Sequence, residues 1–290
     1  MVVPPDDFLI HTTVRIECSK PDGNYSGTGF FYTFFYEERE RVPVIITNLH
    51  VINGATHIKL FLTEEISAGD TTKLQVSCYS MDCTNDFFIH HPDPKVDLAI
   101  IPFLPFIQWS QQAGHRLRSS TLIKSNIITQ DYISNYLSKI EDVLVAGYPD
   151  GIWDNINNLP IIRKGLTATP LQSDFRGKRE FLIDSAIYGG SSGSPVFIYD
   201  NGAFLEGKDL KKGVRIFLVG IVSSVFQHSV NGSFEITEVP TKTTGAVATL
   251  VPNNLGIVIK AAEILAFEPV LRQRLCAESS PLIVTILQKP

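Results

Sequence analysis

Short runs of β-branched and aromatic residues, bounded by Gly, Asp, Asn and Pro, recur through the first hundred residues of the chain. The runs at 12–18, 27–35, 44–51, 58–62, 74–79 and 97–102 predict strands. Polar and apolar residues alternating at a period of two mark a half-buried strand, and an unbroken apolar stretch of about 4–8 residues marks a fully buried one. A polar stretch from Ser110 to Ser134 interrupts the pattern, which resumes at 143–147, 161–169, 181–187, 194–199, 214–224 and 256–260. Many short strands with frequent turn residues predict an all-β barrel or sandwich. The final AAEILAFEPVLRQRL reads as a helix that Pro269 should break or kink, and the Thr-, Gly- and Pro-containing segment 234–249 is the expected mobile loop.

Composition narrows the class without naming a function. With 290 residues, 44% hydrophobic and 19% charged, the chain can bury a large core in one or two domains. A net charge of −5 offers no general attraction to nucleic acid or anionic membrane, so neither is expected as a partner. The start MVVPPDDFLIHTTVRIECSK lacks a basic lead and an uninterrupted apolar core, and no apolar run reaches membrane-spanning length. A soluble, cytoplasmic protein is expected. Cys18, Cys78, Cys83 and Cys276 form no evident framework and read first as buried free thiols. A Cys78–Cys83 hairpin disulfide, or zinc held by these two with Cys18 or a histidine, stays open.

The chemistry gathers at three strings. Tyr188-Gly189-Gly190-Ser191-Ser192-Gly193-Ser194-Pro195 can place a serine hydroxyl and two convergent backbone N–H groups at one point. A serine hydroxyl is a poor nucleophile at neutral pH, so it needs a positioned base and a group that holds the base in the right tautomer. His50, in Ile45-Ile46-Thr47-Asn48-Leu49-His50, and Asp97, at the mouth of Val96-Asp97-Leu98-Ala99-Ile100-Ile101, are the candidates. Their order, His then Asp then Ser with separations of 47 and 95 residues, is the order of one of the three major triad classes. Taken singly, each has a plain structural alternative as a strand-end histidine, a turn cap or a turn serine. Asp93, His57 and Ser191 are the rivals for the three roles and fit the motifs less well.

These strings resemble those of trypsin-like serine peptidases of the chymotrypsin fold, and bacterial members most. TNLHVI, VDLAII and Ile183-Asp184-Ser185-Ala186-Ile187 are similar to the HtrA family, while GSSGSPVF is closer to glutamyl endopeptidases. Val219-Gly220-Ile221-Val222-Ser223-Ser224 resembles the strand that follows the nucleophile and pairs with substrate backbone. Similarity of some grade runs from about Thr13 to about Leu265.

The resemblance implies two six-stranded antiparallel β-barrels with a C-terminal helix. The first, 1–109, would carry His50 and Asp97; 110–135 would link it to a second, 136–265, carrying Ser192; 266–290 would be helix and tail. It implies a serine endopeptidase that acts on protein or peptide substrates and needs no cofactor or metal. Gly190 and Ser192 N–H would form the oxyanion hole, and Ala186, Ile187, Ser223, Ser224 and Val225 would bind substrate. With Ala186 and Ile187 at the pocket base and Val225 at its wall, small or medium apolar side chains are expected; acidic specificity would require His228 or a nearby lysine.

Ser191 stands where digestive enzymes carry aspartate, so activation by a freshly cleaved N-terminus is not expected, and restraint should come from a partner, a conformational change or narrow specificity. Too few residues follow 276 for a PDZ-like domain, so HtrA-type regulation is not expected to carry over. A catalytically silent fold used as a binding module is the alternative.

Overall fold

A computed structural model describes residues 4–38, 40–68, 71–233, 246–276 and 285–286. After the short helix α1 (Pro5–Ile10), the N-terminal half is built from β1 (Thr13–Lys20), β2 (Gly23–Phe34), β3 (Glu40–Thr47), β4 (His57–Ala68), β5 (Thr71–Asp82), β6 (Ile89–His90), β7 (Ala99–Pro102) and β8 (Arg116–Arg118). The helices α2 (Leu49–Ile52) and α3 (Leu104–Gln112) interrupt the strands. The sheet runs in the order β5-β4-β1-β2-β3-β7-β6, with β8 added on β4, so one expected linker segment is in fact part of the sheet. The β4–β5 hairpin extends far beyond the short apolar runs read from the sequence, because β5 exposes most of its side chains and so lacks a buried-strand pattern.

The C-terminal half closes as a six-stranded barrel in the order β10-β11-β14-β13-β12-β9. Its strands are β9 (Asp142–Gly147), β10 (Ile161–Thr167), β11 (Glu180–Asp184), β12 (Pro195–Glu206), β13 (Asp209–Ser233) and β14 (Ala246–Lys260). The all-β architecture expected from the pattern is therefore present, divided into two parts as the resemblance implies. Between the halves lies α4 (Gln130–Asn135), whose first turn is capped by the Thr129 hydroxyl accepting from Tyr132 N–H.

The two halves share a core. Phe30, Tyr32 and Ile100 of the first pack in one apolar cluster with Ala146, Phe197, Leu218 and Ile259 of the second, so the cleft between them has a rigid floor. A 3₁₀ turn at Ala261–Ala266 leads into α5 (Phe267–Cys276), whose Phe267 and Leu271 are buried in that same cluster. Pro269 neither breaks nor kinks this helix. It sits in the first turn, where a missing N–H leaves no intrahelical bond unmade.

Only Cys18 of the four cysteines is fully buried; Cys83 is intermediate and Cys78 and Cys276 are exposed, all as free thiols, so the reading of four buried thiols is corrected. Burial pushes the Cys18 thiol up to about 12. Most of the expected mobile loop, 234–245, lies outside the described residues, and 246–249 begin β14. No described helix is long and apolar enough to cross a membrane.

Candidate active site

The apolar run at 44–47 ends as β3, and the chain turns at once into the single-turn helix α2, which carries His50 rather than leaving it on the strand. Asp97 lies two residues before β7, which pairs with β3, so adjacent strands present the two side chains together. His50 Nδ1 lies 2.6 Å from Asp97 Oδ2, and the His50 backbone N–H donates to Asp97 Oδ1 at 2.9 Å. The carboxylate thus holds both the ring and the backbone of one residue. With Nδ1–H committed to the carboxylate, Nε2 is left as the free acceptor, the tautomer a general base requires. Asn48, fully buried, donates from Nδ2 to the Asp97 carbonyl at 2.8 Å and anchors the acid from behind.

A third donor reaches Asp97 from the other half of the molecule. Ser223 Oγ lies 3.2 Å from Oδ2. The β13–β14 register shifts between Val222 and Ser224, which makes Ser223 an extra residue in its strand. Such a bulge re-aims a side chain, and here it turns the Ser223 hydroxyl toward the acid and its carbonyl toward Ser192, whose Oγ donates to it at 3.4 Å. No hydrogen bond joins Ser192 to His50. Catalytic hydrogen bonds are often loose in the absence of substrate and tighten only around it.

The serine turn is tightly wound. Gly190 and Gly193 have φ of +81° and +86°, values that favour glycine, and a Cβ on Gly190 would sit 2.5 Å from the Tyr148 carbonyl oxygen. Within the turn, Ser191 N–H donates to Tyr188 O, Gly193 N–H to Val222 O and Ser194 N–H to Ser191 O. Within the turn the N–H groups of Gly189, Gly190 and Ser192 donate to no acceptor among the described residues. Gly190 and Ser192 are the two expected to receive an oxyanion.

Thr28 of β2, a residue with no motif to mark it, holds this turn from the first half. Its N–H donates to Ser192 O at 2.9 Å and its Oγ1 to Gly190 O at 2.9 Å. Asp150, in a left-handed conformation at φ +49°, donates its N–H to Gly189 O at 2.5 Å.

The three rival residues are engaged elsewhere. His57 Nδ1 pairs with Asp82 at 2.8 Å, Asp93 Oδ1 accepts from the Lys95 N–H at 2.9 Å, and Ser191 is buried with its Oγ 3.5 Å from the Tyr188 N–H.

Five residues before Ser192 in the chain, Ile187 is buried in the barrel's apolar cluster, with Val225 packed against that cluster and Ala186 half-buried. Val225 pairs with Gly256, where a Cβ would come 3.0 Å from Ile187 Cγ1, so Ile187 packs closely against the Gly256 backbone. Ser224 is exposed. Tyr188 stands exposed with the Arg163 guanidinium 5.0 Å from its ring centre. The side chain of His228 lies outside the described residues.

A family model described as a trypsin-like peptidase domain matches residues 27–205. No curated protein matches the chain. Among solved structures, the chain is similar to the HtrA-type protease AlgWS227A with tripeptide at 14% identity and TM-score 0.43, over 95% of this chain and 65% of that one. It therefore spans about two thirds of that protein's length. Against a serine endoprotease from Yersinia pestis the identity is 15% and the TM-score 0.44, over 96% and 69% of the two chains. Against the catalytically active tobacco etch virus protease complexed with product they are 13% and 0.47, over 91% and 82%.

Proposed function

The chain belongs to the trypsin-like peptidase family, a family of serine endopeptidases, and we propose that it cleaves peptide bonds with Ser192 as nucleophile, His50 as base and Asp97 as the group orienting the base. Ser192 Oγ adds to the scissile carbonyl as its proton passes to His50 Nε2. Collapse of the tetrahedral adduct breaks the C–N bond, and the leaving amine takes that proton. Water, deprotonated by His50, then releases the acid from the acyl-serine and restores the hydroxyl. Gly190 and Ser192 N–H groups receive the oxyanion, each such donor being worth about 10²–10³ in rate.

The observation that carries this reading is the pair of unpartnered N–H groups at Gly190 and Ser192, next to a histidine whose Nδ1 is fixed on Asp97.

For the acyl side we propose small or medium apolar side chains seated over Ile187 between Ala186, the 223–225 strand and Gly256. The buried Ile187 and the apolar wall of Val225 favour such a residue over a charged one. The four free thiols favour a reducing compartment, and we place the protein in the cytoplasm. Restraint on cleavage comes from a partner or a conformational change that brings Ser192 Oγ from the Ser223 carbonyl to His50, together with narrow specificity. The silent, peptide-binding reading draws on that same missing Ser192–His50 bond.

Incubation with a diverse peptide library, read by mass spectrometry beside a Ser192→Ala control, tests the proposal. Cleavage after Ala, Val or Leu that is absent in the variant supports it. Intact peptides under all conditions favour the silent fold, and dominant cleavage after Glu or Arg overturns the assigned specificity.

A further inference from the structure

In digestive members of this family the resemblance implies an aspartate one residue before the nucleophile, and here that position is the buried, uncharged Ser191. Something else must hold the serine turn with its N–H groups outward. We propose that Thr28 is the positioning residue that presets the oxyanion turn, taking the place of the ion pair a processed N-terminus would make. The inference rests on the reading of Ser192 as nucleophile.

Thr28 is fully buried and all of its polar groups are used on or beside the turn. Its Oγ1 donates to Gly190 O at 2.9 Å and accepts the Tyr148 N–H at 3.1 Å. Its N–H donates to Ser192 O at 2.9 Å, and its own carbonyl accepts the Thr47 hydroxyl at 2.7 Å. The side chain and backbone of one residue thus grip the chain on both sides of Ser191.

The direction of the Gly190 N–H follows from two bonds. On the Gly189–Gly190 peptide, Gly189 O is taken by Asp150 N–H at 2.5 Å; because the peptide is planar, the Gly190 N–H points the opposite way, free of any protein acceptor. On the next peptide, Gly190 O is taken by Thr28 Oγ1. Rotation of either peptide breaks one of these bonds; the Thr28–Gly190 bond is partly buried, where an abandoned acceptor is costly, while Gly189 and Asp150 are exposed. The Asp150 side of the grip is itself fastened to the first half. Arg15 of β1 donates from Nη1 to Gly151 O at 2.5 Å, with its guanidinium carbon 5.3 Å from the Trp153 ring centre and 5.7 Å from that of Phe61. Both fastenings run from the first half to the second, so the hole is formed by docking of the halves. Restraint then acts on the Ser192–His50 alignment and not on the hole.

The test compares Thr28→Val, which keeps the shape and deletes the hydroxyl, with Thr28→Ser, which keeps the hydroxyl and deletes the methyl. For the valine variant we expect kcat to fall about 10–10²-fold with KM within about threefold, a loss approaching that of one oxyanion donor. The serine variant should stay within about threefold of the parent on both constants. Equal kcat in the valine variant and an active parent overturns the role of Thr28.

Backbone hydrogen exchange across 186–196 reads the same clamp without relying on activity. Exchange about tenfold faster in the valine variant alone, with the rest of the barrel unchanged, supports the proposal. Exchange unchanged in both variants overturns it. Faster exchange throughout the molecule assigns Thr28 to general stability instead. A parent that neither cleaves nor reacts with an acylating probe refutes the nucleophile reading, while the exchange comparison still decides whether Thr28 holds the turn.

Discussion

The proposed base and the proposed nucleophile are built by opposite means. His50 and Asp97 come from neighbouring strands of one sheet, and the carboxylate binds the histidine twice, through ring and backbone. Ser192 sits on a glycine turn of the other half, bonded to Ser223 O within its own half and gripped by Thr28 from across the cleft. A pair fixed inside one sheet is present whenever that sheet is folded. A turn held across the cleft is preset once the halves are docked, so restraint falls on the Ser192 hydroxyl, which is bonded to Ser223 O and not to His50.

The largest way to break this contrast is at the rigid pair. Asp97→Asn keeps the size of the side chain but favours the wrong imidazole tautomer, and kcat should fall about 10⁴-fold with little change in KM, measured on any cleaved peptide. On the turn, Gly190→Ala should cost about 10²–10³ in kcat. Its Cβ would meet the Tyr148 carbonyl and the left-handed φ disfavours a side chain, so the free N–H is displaced. A smaller effect, about threefold to tenfold in kcat, is expected for Ser223→Ala, which removes one of three donors from Asp97 while His50 keeps both of its own bonds. The smallest sharpens specificity alone. Val225→Gly should widen the entrance and shift preference by about tenfold toward Phe and Tyr over Val, read as a ratio of kcat/KM values, with catalysis of the smaller side chain nearly unchanged.

Much of this was legible in the chain. The buried strands announced themselves by apolar runs, and the three catalytic candidates by local strings, of which His50 and Asp97 bond directly while Asp97 and Ser192 share Ser223 as a partner. What stayed hidden has a common physical cause. The grip of Thr28 on Gly190 joins residues 162 positions apart, and a threonine in a strand carries no local signal of a distant carbonyl. The bulge that turns Ser223 toward Asp97 is a mismatch between two strands and cannot be read from either one. The β4–β5 hairpin was underestimated because an exposed strand needs no apolar pattern, only a neighbour to pair with. Pro269 was misjudged because a proline's effect depends on where the helix starts, and the 3₁₀ turn at Ala261–Ala266 moves that start to Phe267.

The central claim, an assembled His50–Asp97 pair serving Ser192, is tested most directly by reacting the purified protein with a fluorophosphonate probe and locating the adduct by mass spectrometry. The account predicts a single adduct on Ser192 that is lost in Ser192→Ala and reduced at least about 10³-fold in His50→Ala. An adduct on another serine, or labelling of Ser192 that is indifferent to His50, would contradict it.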